Sequence, residues 1–219
     1  MLLQRFIKGR FALVALSVLV TLGGCAGGGP AKAPDAQGAA KAEMAGGDAA
    51  ESMIPAQVRT LYEQAAAAMA AGDYVDAELR FKEFLLQYPQ YPGAYVNLAI
   101  IHANNENNDE ARSVLDAALA LNPNHPAALN QLGMLLRKNG KFLEAEAAYL
   151  KAVTVSPDYA LAHYNLGVLN ELYLQRLDVA LQNFEAYQAL VGEDKQVAKW
   201  IADLRRRVAA TQRTANVAE

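Results

Sequence analysis

Three prolines stand 34 residues apart: Pro89, Pro123 and Pro157. A chain that repeats one chemical pattern at so short a period does not fold around a single central core. It stacks copies of a small unit, each covering the apolar face of the next. Setting the sequence in register on the prolines gives blocks 58–91, 92–125, 126–159 and 160–194, the first three without a gap. The columns of this alignment agree in chemistry. The eighth holds Ala65, Ala99, Gly133 and Gly167, and the twentieth holds Ala77, Ala111, Ala145 and, after one inserted residue, Ala180. The twenty-fourth holds Phe81, Leu115, Tyr149 and Phe184, and the seventh Gln64, Leu98, Leu132 and Leu166. Small residues at columns eight and twenty let two antiparallel helices approach closely, and bulky ones at column twenty-four fill the space between neighbouring pairs. Proline at column thirty-two ends the second helix, because it lacks an amide and biases its predecessor away from helix.

The pattern resembles the tetratricopeptide repeat, most closely over AALNQLGMLLRKNGKFLEAEAAYLKAVTVSP, residues 127–157. The resemblance covers residues 58 to about 194. It implies an all-α fold, a right-handed superhelix of helix-turn-helix repeats with about nine helices. Three departures stand out. Gln64 takes the place of the usual leucine, Glu106 stands where a glycine usually turns the hairpin, and the fourth block carries an insertion within ELYLQRL. After the repeats, Val197, Trp200, Ile201, Leu204 and Val208 recur at helical spacing, with Lys199, Asp203, Arg206 and Arg207 on the other face. Residues 195–213 therefore read as a capping helix in which Trp200 packs, and 214–219 as a disordered tail.

The other end of the chain has the layout of an export signal. Arg5, Lys8 and Arg10 precede Phe11 to Leu22, which is apolar except for Ser17 and Thr21. That run is too short for a membrane-spanning helix of about 20 residues and fits a signal peptide over 1–24. Leu22-Gly23-Gly24-Cys25 resembles the lipobox of bacterial lipoproteins. The resemblance implies that Cys25 becomes the acylated, palmitate-bearing first residue of the mature chain. One acyl chain anchors a protein only marginally, so stable attachment takes two or more. Ala26 follows the cysteine in place of Asp, which by the enteric sorting rule favours the outer membrane, facing the periplasm, over the inner one. Residues 25–55 are rich in Ala, Gly and Pro and bury too little to order themselves, so they read as a tether with a reach of roughly 30 Å.

Few residues offer chemistry. Cys25 is the only cysteine, which excludes disulfides, and its acylation leaves no thiolate site. Removing residues 1–24 takes away three basic and no acidic residues, so a formal charge of −3 becomes −6, a poor balance for nucleic-acid binding. His102, His125 and His163 occupy columns eleven, thirty-four and four of three different repeats, with no pair at i, i+4. Ser52, Ser113 and Ser156 have no base at a matching position, and the GGG at 27–29 lies in the tether. The expectation is a protein that is not an enzyme and holds no cofactor or metal.

In the tetratricopeptide family the first helix of each pair lines a concave groove through columns two, five, six, nine and twelve. Carried over by position, the resemblance implies a groove of Arg59, Tyr62, Asn97, Ile100, Asn130, Gln131, Met134, Tyr164 and Asn165, with Arg137 and Glu171 at column twelve. Asn97, Asn130, Gln131 and Asn165 form an amide ladder. Each amide offers donors and an acceptor, suited to the backbone of an extended peptide; simple solvation is the other open reading. The family's chaperone-tail clamp places lysine at column five and asparagine at column nine of the first repeat, where Tyr62 and Ala66 stand, so that route is disfavoured. The expected role is a membrane-anchored scaffold that binds protein partners of the cell envelope and helps assemble a pilus, secretion or proton-driven transport complex. Two alternatives stay open: an adaptor for cell-wall hydrolases, synthases or proteases, and a self-associating subunit that uses Arg205, Arg206 and Arg207 or fills its groove with its own last helix.

Overall fold

The computed structural model describes residues 55–217. The signal segment, Cys25 and residues 25–54 of the tether lie outside them. The described chain is a succession of helices: α1 (Ala56–Ala70), α2 (Tyr74–Gln87), α3 (Pro92–Asn104), α4 (Asn108–Leu121), α5 (Pro126–Lys138), α6 (Phe142–Val155), α7 (Ala160–Leu172), α8 (Leu177–Val191) and α9 (Lys195–Val217). α1–α2, α3–α4, α5–α6 and α7–α8 are the hairpins of the four repeats.

Local chemistry sets the boundaries. Pro92 and Pro126 open α3 and α5 at the first helical positions, where the missing amide costs nothing and the fixed φ suits the helix. The side chain of Asp73 caps α2 by accepting from the Asp76 amide at 3.0 Å. Pro89, Pro123 and Pro157 each follow the last turn of a second helix, which ends at Gln87, Leu121 and Val155. Inside each hairpin the turn reverses through one left-handed residue. Gly72 (φ 81°) and Gly140 (φ 74°) share column fifteen with Glu106 (φ 63°). The following amide reaches back five residues each time: Asp73 to Ala68 O, Asn107 to His102 O and Lys141 to Leu136 O, at 2.9–3.0 Å. That is the Schellman closure of a helix end. In the fourth repeat the inserted residue sits in this turn. It moves the left-handed position to Gln175 (φ 55°), and Arg176 donates to Asn170 O at 2.9 Å.

The columns do what their sizes require. A methyl group placed on Gly133 would come within 2.5 Å of Tyr149 Cε1, and one on Gly167 within 2.7 Å of Phe184 Cδ1. Ala77, Ala145 and Ala180 at column twenty are fully enclosed, as are Phe81, Tyr149 and Phe184 at column twenty-four. Column seven packs inward in the later repeats, with Leu98 and Leu166 buried. Gln64 in the same column is exposed, since no described repeat precedes it.

α9, the last described helix, packs on α8 as the first helix of a further repeat would. Val197, Ile201 and Leu204 are buried, and the Trp200 ring lies 5.6 Å from that of Phe184 and 6.1 Å from that of Tyr164. Counted from Lys195, Trp200 is column six and Ala202 column eight; Ala202 is exposed, and among the described residues no second helix covers it. α9 continues through Val217, so residues 214–217 are helical where a tail was expected. No glycine or proline interrupts 193–219.

Two stability measurements test these assignments. Gly133→Ala gains about 1 kcal/mol of helix propensity but forces the enclosed Tyr149 ring to move, and overpacking of this kind costs about 1–3 kcal/mol. The expected net result is a lower urea midpoint, and an unchanged or higher midpoint would refute the close approach. Glu106→Gly should act in the opposite direction. It removes a left-handed non-glycine strain of about 1–2 kcal/mol against a smaller gain in unfolded-chain entropy, so the midpoint should rise.

Candidate partner-binding groove

The first helices α1, α3, α5 and α7 lie side by side, each offset from the next by one column. Column five of one repeat therefore meets column six of the next. Asn97 Nδ2 donates to Tyr62 Oη at 2.7 Å, and Asn165 Nδ2 donates to Asn130 Oδ1 at 2.9 Å; both pairs span 35 residues, one period plus one. These amides are interior groups, with Asn97 and Asn165 4% exposed and Asn130 1%. The asparagine part of the ladder thus faces neither water nor an open groove. It joins successive repeats, and for Asn97, Asn130 and Asn165 this replaces both readings drawn from the sequence. The cause is the one-column offset, which turns columns five and six toward the adjoining repeat.

The aromatic groove positions pack against other rings, Tyr62 half-buried and Tyr164 buried. The Tyr62 ring stands edge-on to Phe81 and Phe84, at 5.5 Å from each. Tyr164 is buried among Phe184, Tyr187 and Trp200, and that burial pushes its hydroxyl up to about 12. Tyr149, deeper still, is raised further for the same reason. Ile100 belongs to the core, while Arg59 is exposed on α1.

The ladder has a gap at the junction of the second and third repeats. Column five there is Val96, which offers no polar atom, and column six is Gln131. Beside this junction lies a cavity of about 350 Å³ bounded by α3, α4 and α5. Ala99, Ala103, Leu115 and Leu135 form its apolar wall, Gln131 and Met134 line it, and Arg137 and Lys138 stand at its edge. Tyr173, from the turn after α7, closes one side, its ring 4.7 Å from that of Phe142. Of the nine groove positions expected from the sequence, Gln131 and Met134 are those brought to this cavity. Lys138, Ala103, Leu115 and Tyr173 were not gathered by the sequence reading. One signal was available: column twelve holds Ala103 in the second repeat, where Arg137 and Glu171 stand in the next two, and the small side chain opens the space.

The histidines have structural roles. His102 is buried, and His125 caps α5 by accepting from the Ala128 amide at Nδ1, 3.2 Å away. His163 lies between Pro157 O at 2.9 Å and Asn183 Oδ1 at 3.3 Å. Among the described residues no three of His, Cys, Asp and Glu gather as metal ligands, and no helix is long and apolar enough to cross a membrane. Arg205, Arg206 and Arg207 of α9 are engaged within the chain. Arg205 pairs with Glu185 at 2.7 Å, Arg206 with Asp203 at 2.9 Å and Arg207 with Glu171 at 2.8 Å. α9 contributes no residue to the cavity.

Comparison with known proteins agrees with this geometry. Residues 68–135 match a tetratricopeptide repeat family and residues 133–172 a further TPR repeat family. The human protein O-mannosyl-transferase TMTC2 is 44% identical over 62 residues, which are 28% of this chain and 7% of that protein. The photosystem I assembly protein Ycf3 of Rippkaea orientalis is 33% identical over 101 residues, 42% of this chain and 58% of that one. The chain therefore spans less than two thirds of either relative. Among solved structures, PilF of Pseudomonas aeruginosa superposes with a TM-score of 0.61 at 23% identity, covering 80% of this chain and 74% of that one. Residues 68–172 are tetratricopeptide repeats, and the described chain has the all-α superhelical fold that such repeats build.

Proposed function

We propose that this protein is a lipid-anchored scaffold of the bacterial envelope that binds a partner protein through the cavity between its second and third repeats. Proteins built of tetratricopeptide repeats mediate protein–protein interaction, and a cavity with an apolar wall and a polar edge is the form such binding takes. That cavity is the observation that carries the reading. The lipobox resemblance around Cys25 supports an acyl anchor there, Ala26 after it favours the outer membrane on the periplasmic side, and a tether over 25–55 would leave the repeats free to search near the surface. Holding a partner there raises its local concentration without any new contact. In this reading the partner belongs to a trans-envelope machine, for pilus formation, secretion or proton-driven transport. An adaptor for cell-wall enzymes or proteases uses the same groove and anchor. Self-association through the α9 arginines is the weaker alternative, because each already has a carboxylate in its own chain.

The test is a photo-crosslinking residue at Gln131 in intact cells, with exposed Glu144 on α6 as control. Asn130 is unsuitable, since its side chain is buried. A discrete protein adduct from position 131 and none from 144 is the expected result, and adducts no stronger than those at 144 would sink the groove. Cys25→Ser should abolish palmitate incorporation and release the chain from the membrane fraction. Membrane retention without acylation would overturn the anchor.

A further inference from the structure

The charged side chains that line the cavity are both basic. Arg137 and Lys138 stand at its edge, and no acidic side chain lines it. Arg80, Arg112, Arg176, Arg205, Arg206 and Arg207 each have a carboxylate within 3.0 Å. Arg137 takes part in no ion pair among the described residues, and its Nη1 is buried without a hydrogen-bond partner. A guanidinium N–H removed from water with nothing to donate to is costly. A carboxylate arriving from outside would satisfy it by a charge-assisted hydrogen bond, stronger than one between neutral groups. Lys138 adds a second positive charge on a chain of formal net charge −3.

The remaining walls ask for carbon. Ala99, Ala103, Leu115 and Leu135 are apolar, Met134 is flexible and polarisable, and Tyr173 presents a ring. About 350 Å³ is at the small end of ligand pockets, a size suited to side chains of a docked segment. The junction also lacks the polar pair that seals its neighbours, so column six, Gln131, is available at the opening.

We propose that this cavity recognises a partner segment in which an aspartate or glutamate is flanked by bulky apolar residues. The carboxylate accepts from Arg137 Nη1, the apolar neighbour lies on the wall of α3 and α4, and Lys138 reinforces the charge at the edge. The inference rests on the groove reading above and adds the chemistry of what the groove takes.

The test uses the full-length chain with ¹³C-methyl methionine, in which Met134 reports on the cavity and Met69, buried in the first repeat, is the internal control. The probes are acetyl-Leu-Glu-Leu-amide and acetyl-Leu-Gln-Leu-amide. The glutamate peptide should shift the Met134 methyl and leave Met69 in place. It should bind about tenfold tighter than the glutamine peptide at low salt, with the difference shrinking as salt rises. Arg137→Met should erase the difference and Arg137→Lys should retain part of it, with unchanged melting curves showing that both variants fold. Lys138→Gln should weaken the preference without erasing it. Equal binding of the two peptides, a glutamate preference that survives Arg137→Met, or an unmoved Met134 methyl would each overturn the inference. A Gln131 adduct in cells alongside any of these leaves the groove reading standing, whereas loss of both removes it.

Discussion

Everything in this fold depends on how closely the two helices of a hairpin approach. Column eight on the first helix presents Ala or Gly, and column twenty-four on the second presents an aromatic ring or leucine. At Gly133 and Gly167 the ring lies where a side chain would begin, so the backbone itself is the packing surface. Such a contact tolerates almost no change of volume. It fixes the spacing within the pair, and that spacing fixes where the pair's outer face meets the next repeat. The hairpin turn serves the same end. One left-handed residue reverses the chain in the shortest distance, and the fold imposes that conformation on Glu106 as firmly as it gives it to Gly72 and Gly140.

Between repeats, the joint is the meeting of columns five and six. The first junction is sealed by Tyr62 and Asn97, the third by Asn130 and Asn165, and the last by Tyr164 against Trp200 of the closing helix. Hydrogen bonds made inside the stack are worth most because the groups have no water to return to. The second junction has valine at column five and alanine at column twelve, and there the stack opens. The cavity is thus a consequence of two local substitutions in an otherwise regular joint. A binding opening in a repeat array needs no added loop or domain; one weakened seam between rigid units is sufficient.

α9 is the last described helix of the array. It repeats the packing of a first helix against its predecessor, and its outer face carries Lys199 and Arg206, both exposed. A polar outer face is what a terminal unit of a solenoid needs. Two ion pairs to earlier helices, Arg207 with Glu171 and Arg205 with Glu185, tie it down at positions too exposed to contribute much stability by themselves.

The period of 34, the sizes at columns eight, twenty and twenty-four, and the prolines at column thirty-two determined the all-α repeat fold from the sequence alone. Those features act within one hairpin or between neighbours, at distances that sequence spacing encodes directly. The turn at Glu106 was legible as a departure, and the insertion near ELYLQRL as well, although only the structure put it in the turn at Gln175. The groove was legible by position but not by exposure. Whether Asn97, Asn130 and Asn165 face a partner or one another depends on the one-column offset between successive first helices, and that offset is set by the rigid-body packing of whole hairpins. The same holds for the cavity. Arg137 stands in the sequence like any other column-twelve residue, and only the tertiary structure decided that no carboxylate among the described residues pairs with it, because counterions come from neighbours in space rather than from neighbours in the chain.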